Sequence, residues 1–186
     1  MPVILASGSP RRAELLSRIF DHFEVVPSGA DETSDDPPET AVLTVARAKA
    51  REVAQSHYGI IIAADTIVIA RGRVLGKPAS PVEAREMLER LSGREHDVIT
   101  GLCVLRTDSP VERTAVERTT VRFRALLPRE IDAYISSGEY ADKAGAYGIQ
   151  GRAAVFVDRI CGDYYNVMGL PLCRLVLLLR EVGVGV

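Results

Sequence analysis

The stretch Gly59-Ile60-Ile61-Ile62-Ala63-Ala64-Asp65-Thr66-Ile67-Val68-Ile69-Ala70 decides the fold. It is apolar on both faces of an extended chain, so it predicts a strand covered on both sides, at the centre of a helix-flanked sheet. Upstream, Pro37-Pro38 introduces a helix over about Glu39–Ser56, with Val42, Val45, Ala46 and Val53 on one stripe. Before that, Val3–Ala6 is a short apolar strand ending in the tight loop Ser7-Gly8-Ser9-Pro10. A helix follows with Leu15, Leu16, Ile19 and Phe20 on one side, Ser9 as its cap and Pro10 as its first residue.

Downstream, Ser80-Pro81-Val82-Glu83 reads as a capping box. Its helix aligns Ala84, Met87, Leu88 and Leu91 and stops at Gly93. Strands over His96–Arg106 and Val111–Ala125, joined by Thr107-Asp108-Ser109-Pro110, form a hairpin. A short helix opens at Pro128 with Ile131, Tyr134 and Ile135 inward and ends at Gly138. A strand over Ala153–Ile160 and a leucine-rich helix over Pro171–Arg180 complete the chain. Strands alternating with helices, then hairpins, predict an α/β fold: a mixed twisted sheet flanked by helices, two halves with an active cleft between them.

With 186 residues the chain suits a single domain, or one domain with two lobes. Hydrophobic residues make up 47% and charged residues 26%, an ordinary globular balance. A net charge of -2 carries no footprint for a nucleic-acid polymer, yet leaves room for a local pocket that takes a small anion. The three cysteines, Cys103, Cys161 and Cys173, match neither a disulfide framework nor a zinc spacing, and read as buried free thiols of a reducing compartment. The N-terminus lacks a signal-peptide pattern, and no apolar run approaches the roughly 20 residues needed to span a membrane. The cytoplasm is the expected location.

Several residues sit where the fold alone does not want them. Arg11 and Arg12 occupy the opening turn of a helix, where cations are disfavoured unless an anion is present. Beside them Ser7, Gly8 and Ser9 allow close backbone approach, so the segment reads as a phosphate cradle or, more simply, as a loop with solvated arginines. Lys49 lies on the apolar stripe of its helix, and it either pairs in a cleft or snorkels to water. Asp65 interrupts the central strand, and such a carboxylate pairs with a cation, ligates a metal or accepts a proton. Thr66 beside it can hydrogen bond to a base or a phosphate.

Leu75-Gly76-Lys77-Pro78 forms a tight loop able to aim the Lys77 amine at a phosphate, although such a turn is also common on surfaces. His96 opens a strand and reads as structural. Asp142–Gly151 mixes glycine and alanine with Lys143, Tyr147 and Gln150, whose amide can read a base edge. Cations at 11, 12, 49, 77 and 143 among acids at 32, 65 and 142 fit the cleavage of a phosphoanhydride with a hard divalent ion. Residue chemistry alone reaches a phosphate-handling hydrolase.

The same segments resemble the Maf family, in family order and over nearly the whole chain. They are Leu5–Leu16, Asp31-Glu32, Ala48-Lys49-Ala50, Ala64–Val68, Leu75–Pro78, Leu91–His96, Asp142–Gly151 and Asn166–Pro171. The resemblance implies a fold related to inosine-triphosphate pyrophosphatases, and hydrolysis of a nucleoside triphosphate to monophosphate and pyrophosphate with Mg²⁺ or Mn²⁺. It implies Asp65 as proton acceptor, Glu32 and Asp65 toward the metal, and Ser7, Arg12, Lys49 and Lys77 toward the triphosphate. Arg11, Thr66 and Gln150 match the branch acting on dTTP and UTP rather than its sister acting on 7-methyl-GTP, and a homodimer is suggested. Asp163 departs from the pattern, where a serine is expected, and would add an acid near the cleft. The rival readings are a purine-directed pyrophosphatase on the same fold and a nucleotide-binding regulator of cell division without turnover.

Overall fold

A computed structural model describes residues 1–185. One seven-stranded sheet carries the order β2-β1-β3-β5-β6-β7, with β4 paired to β3. The strands are β1 (Val3–Leu5), β2 (Glu24–Val25), β3 (Ile60–Ala70), β4 (Arg73–Leu75), β5 (Glu95–Arg106), β6 (Val111–Phe123) and β7 (Val157–Cys161). The helices are α1 (Pro10–Leu16), α2 (Pro38–Ala54), α3 (Pro81–Leu91), α4 (Pro128–Ser136), α5 (Tyr164–Met168) and α6 (Leu172–Glu181). β1 pairs in parallel with β2 and β3, whereas β3–β4 and β6–β7 are antiparallel, so the sheet is mixed as expected. β3 lies inside the sheet, and Ile61, Ile62, Ala63 and Ala64 are fully buried.

The chain divides into two compact units, Met1–Thr66 with Thr100–Glu117 and Gly169–Val186, and Ile67–Ile99 with Arg118–Met168. In the first, the α2 stripe packs Ala46, Ala50 and Val53 on Ile4, Ala6, Ile61, Ala63 and Cys103. Contact is close because β5 presents Gly101 to the start of α2. A Cβ there would lie 2.4 Å from the Val42 carbonyl oxygen. In the second unit the core is aromatic: Phe123 meets His96, Tyr147 and Phe156 edge-on at 5.0, 4.8 and 6.0 Å.

Ends of helices follow the local chemistry. The Ser9 hydroxyl accepts from Arg12 N–H at the start of α1, and Ser80 from Glu83 N–H at the start of α3. The return arm of the α3 box lands one residue early, the Glu83 carboxylate accepting from Ala79 N–H at 2.7 Å.

Several expectations are corrected. α1 stops at Leu16, and Ile19 and Phe20 lie in the turns after it. Residues 152–156 form a 3-10 turn rather than the start of a strand, because Ala154 N–H bonds back to Gly151 O, and β7 begins only at Val157. Ile135 is half-buried while Ile131 and Tyr134 are buried. Asp163 caps α5, accepting from Tyr165 N–H at 2.7 Å and Asn166 N–H at 3.3 Å, so its carboxylate serves a helix end. All three cysteines are free, but only Cys103 is buried, and Cys161 and Cys173 are exposed. Among the described residues no helix is long and apolar enough to cross a membrane.

Candidate active site

Two polar clusters form within the first unit, one on each side of the Asp65-Thr66 step of β3. The first is built by α2. Its stripe carries Lys49 inward because positions 42, 45, 46, 49, 50 and 53 share one face. A buried ammonium must be paired. Lys49 Nζ reaches Asp65 Oδ1 at 2.9 Å and Glu32 Oε1, from the loop after β2, at 2.7 Å. The amine is therefore paired rather than snorkelling, and one cation gathers two carboxylates. Glu32 is about half exposed, with 54% of its side chain accessible, against 14% for Asp65. Asp65 is thus the sheltered partner and Glu32 the exposed one.

The second cluster is a fork built on Arg12. Its Nε donates to Gly169 O at 2.8 Å, Nη1 to Ser7 Oγ at 3.3 Å and Nη2 to Thr66 Oγ1 at 3.0 Å. Thr66 Oγ1 in turn shares a 2.9 Å hydrogen bond with Thr100 Oγ1 on β5. Three bonds in the plane of one guanidinium fix its direction, which a lysine could not do. Enclosure lowers the Arg12 pKa from its ordinary value, Asp65 and then Glu32 oppose that shift, and Arg11 adds to it. α1 has only seven residues, so the positive charge at this end comes from the Arg12 fork more than from a helix dipole.

Lys77 and Gln150 belong to the second unit, where both are exposed. Lys143 donates to Asp142 Oδ1 at 2.6 Å and Glu139 O at 2.5 Å, so its amine ties a loop together. Two members of the Arg12 network are additions to the sequence reading. Thr100 is fully buried, and Gly169 holds φ +106, a conformation that favours glycine. A Cβ at Gly169 would also sit 3.5 Å from Thr66 Oγ1 and 3.6 Å from Arg12 Nε. Neither contact is local: Arg12 and Gly169 are 157 residues apart.

His96 is structural, as read. Its Nε2 lies 2.8 Å from Tyr147 Oη, and its buried Nδ1 has no hydrogen-bond partner among the described residues. Burial pushes its pKa down to about 4, with Asp97 opposing. The unfolded chain titrates near 6.5, so it binds more protons than the folded protein between those values. The stability His96 contributes is complete above about pH 6.5 and is lost as pH falls through about 4. From pH 7.5 to 4.5 the wild type should lose about 2–3 kcal/mol more than His96→Gln. Urea unfolding at both values measures it, and equal losses would refute the assignment.

Burial likewise raises the Cys103 thiol to about 12, so it stays protonated and is no nucleophile.

A protein of Thermococcus gammatolerans named dTTP/UTP pyrophosphatase is 50% identical over 181 residues, covering 97% of this chain and 96% of its own. One of Thermococcus onnurineus with the same name is 51% identical over 185 residues, 99% of both chains. A Bacillus cereus protein, again so named, is 48% identical over 187 residues, covering 99% and 97%. The model of the Maf-like protein family matches residues 2–182. The chain belongs to the Maf-like protein family.

Proposed function

We propose that this protein hydrolyses nucleoside triphosphates, dTTP and UTP foremost, to the monophosphate and pyrophosphate. The observation that carries the reading is the Lys49 bridge, which brings a sheltered carboxylate and an exposed one to a single point on the sheet. The names of the relatives at about half identity support the substrate.

Asp65 is the proton acceptor. Lys49 binds its Oδ1 and leaves Oδ2 to take a proton from the attacking water. As the phosphoanhydride bond between the α- and β-phosphates breaks, charge builds on the phosphoryl oxygens and the departing pyrophosphate. The Arg12 guanidinium and the Lys49 ammonium offset it from fixed positions, which saves reorganisation. Ser7 helps hold the Arg12 fork, and Lys77 is the further cation proposed for the triphosphate. Arg11, Thr66 and Gln150 are the residues proposed to select the base.

Glu32 and Asp65 are hard oxygen donors converging on one cation. That suits the protein's share of a Mg²⁺ or Mn²⁺ site, which phosphate oxygens and water would complete. When bound, such an ion withdraws negative charge from the phosphoryl oxygens. Three free thiols favour a reducing cytoplasm as the place of action.

Pyrophosphate release from a panel of nucleoside triphosphates tests the substrate. UTP and dTTP should lead in kcat/KM. ITP, XTP or 7-methyl-GTP in front would replace the pyrimidine reading with the purine one.

A further inference from the structure

We propose that Tyr134 and Glu139 are positioning residues that clamp the backbone on both sides of Gln150 and so set nucleotide selectivity. This rests on the pyrimidine triphosphate reading above. The segment Gly145–Ile149 is buried without a break, and Gln150 alone turns outward before half-buried Gly151. An exposed glutamine has freedom to lose, and its amide presents a donor and an acceptor that swap places on rotation. Reading one base over another requires that its backbone not move.

Two side chains supply that rigidity. The Tyr134 hydroxyl accepts from Gly148 N–H at 3.2 Å and donates to Glu139 Oε1 at 3.3 Å. The Glu139 carboxylate accepts from Arg152 N–H, 3.1 Å from each oxygen. Positions 148 and 152, equally spaced about Gln150, are thus tied to one pair, and Gly151 N–H closes a turn onto Gly148 O at 3.1 Å.

Space enforces the same register. A Cβ on Gly151 would lie 2.1 Å from Glu139 Oε1, and one on Gly148 would lie 2.6 Å from Lys143 Cε. The clamp is itself anchored: Tyr134 is buried against Phe156 with ring centres 5.4 Å apart, and Lys143 binds the Glu139 carbonyl. Burial raises the Tyr134 pKa, so the phenol keeps its proton as a donor.

Tyr134→Phe removes one hydroxyl and keeps the ring. UTP and CTP share a sugar and triphosphate and differ where a carbonyl replaces an amino group, so their kcat/KM ratio reports base reading. In an otherwise wild-type background that ratio should fall about tenfold, the scale of one lost hydrogen bond, with kcat for UTP within about twofold. In a Gln150→Ala background the same substitution should change the ratio by less than about twofold, because the clamp acts through Gln150. Gly151→Ala, which drives a Cβ at Glu139 and spares the phenol, should repeat the pattern if Tyr134→Phe proves unstable.

An equal fall in both backgrounds, or an unchanged ratio in both clamp variants, would overturn the proposal. Amide exchange gives a reading free of turnover: Gly148 and Arg152 should exchange at least about tenfold faster in Tyr134→Phe. Unchanged protection there would also overturn the clamp. A wild type inactive on every triphosphate would instead overturn the function, while the exchange result still decides the clamp.

Discussion

Asp65→Asn is expected to lower kcat for UTP about 1,000-fold while the protein stays folded. Asparagine keeps the size of aspartate, and its carbonyl can still accept from Lys49, which lies 2.9 Å from Asp65 Oδ1 and 2.7 Å from Glu32. What is lost is an oxygen able to take a proton from water. KM should change far less than kcat, since the lost interaction acts in the transition state. Steady-state pyrophosphate release and a melting curve on the same preparation measure it. A folded Asp65→Asn protein with near wild-type kcat would remove Asp65 from the chemistry and return Lys49 and Asp65 to a structural ion pair.

Arg12→Lys is expected to lower kcat/KM by about 100-fold or more, although charge is conserved. Removing one preorganised donor from a charge-stabilising site typically costs about 100- to 1,000-fold. The guanidinium uses Nε, Nη1 and Nη2 on Gly169, Ser7 and Thr66 at once, and an ammonium cannot reproduce that plane. Kinetics of Arg12→Lys beside Arg12→Ala separates geometry from charge. A lysine variant close to wild type would mean that Arg12 acts as a point charge and that its fork is incidental.

Much of this was legible in the residues themselves. A strand with no polar face had to be central, and Asp65 within it called for a cation, a metal or a proton to accept. Lys49 on an apolar stripe stood out as a cation that either pairs or snorkels, and only the fold joins it to Asp65, whereas Ser9 and Ser80 announced their helices, because capping and periodicity are local. The illegible parts are the non-local ones. Thr100 meets Thr66 and Gly169 meets Arg12 across 34 and 157 residues, where sequence spacing carries no signal. β4, with three residues, and α5, with five, are too short to show a period. Residues 152–156 have a strand-like composition, but Glu139 captures Arg152 N–H and Gly151 O takes Ala154 N–H, which winds them into a 3-10 turn. Asp163 looked like an extra acid because its role as a cap depends on a helix the pattern does not reveal.

The central claim is cleavage between the α- and β-phosphates of a pyrimidine nucleoside triphosphate. Separating the products of UTP turnover by the purified wild-type protein with Mg²⁺ or Mn²⁺ tests it most directly. The account predicts UMP and pyrophosphate in equal amounts. UDP with inorganic phosphate, or intact UTP, would contradict it.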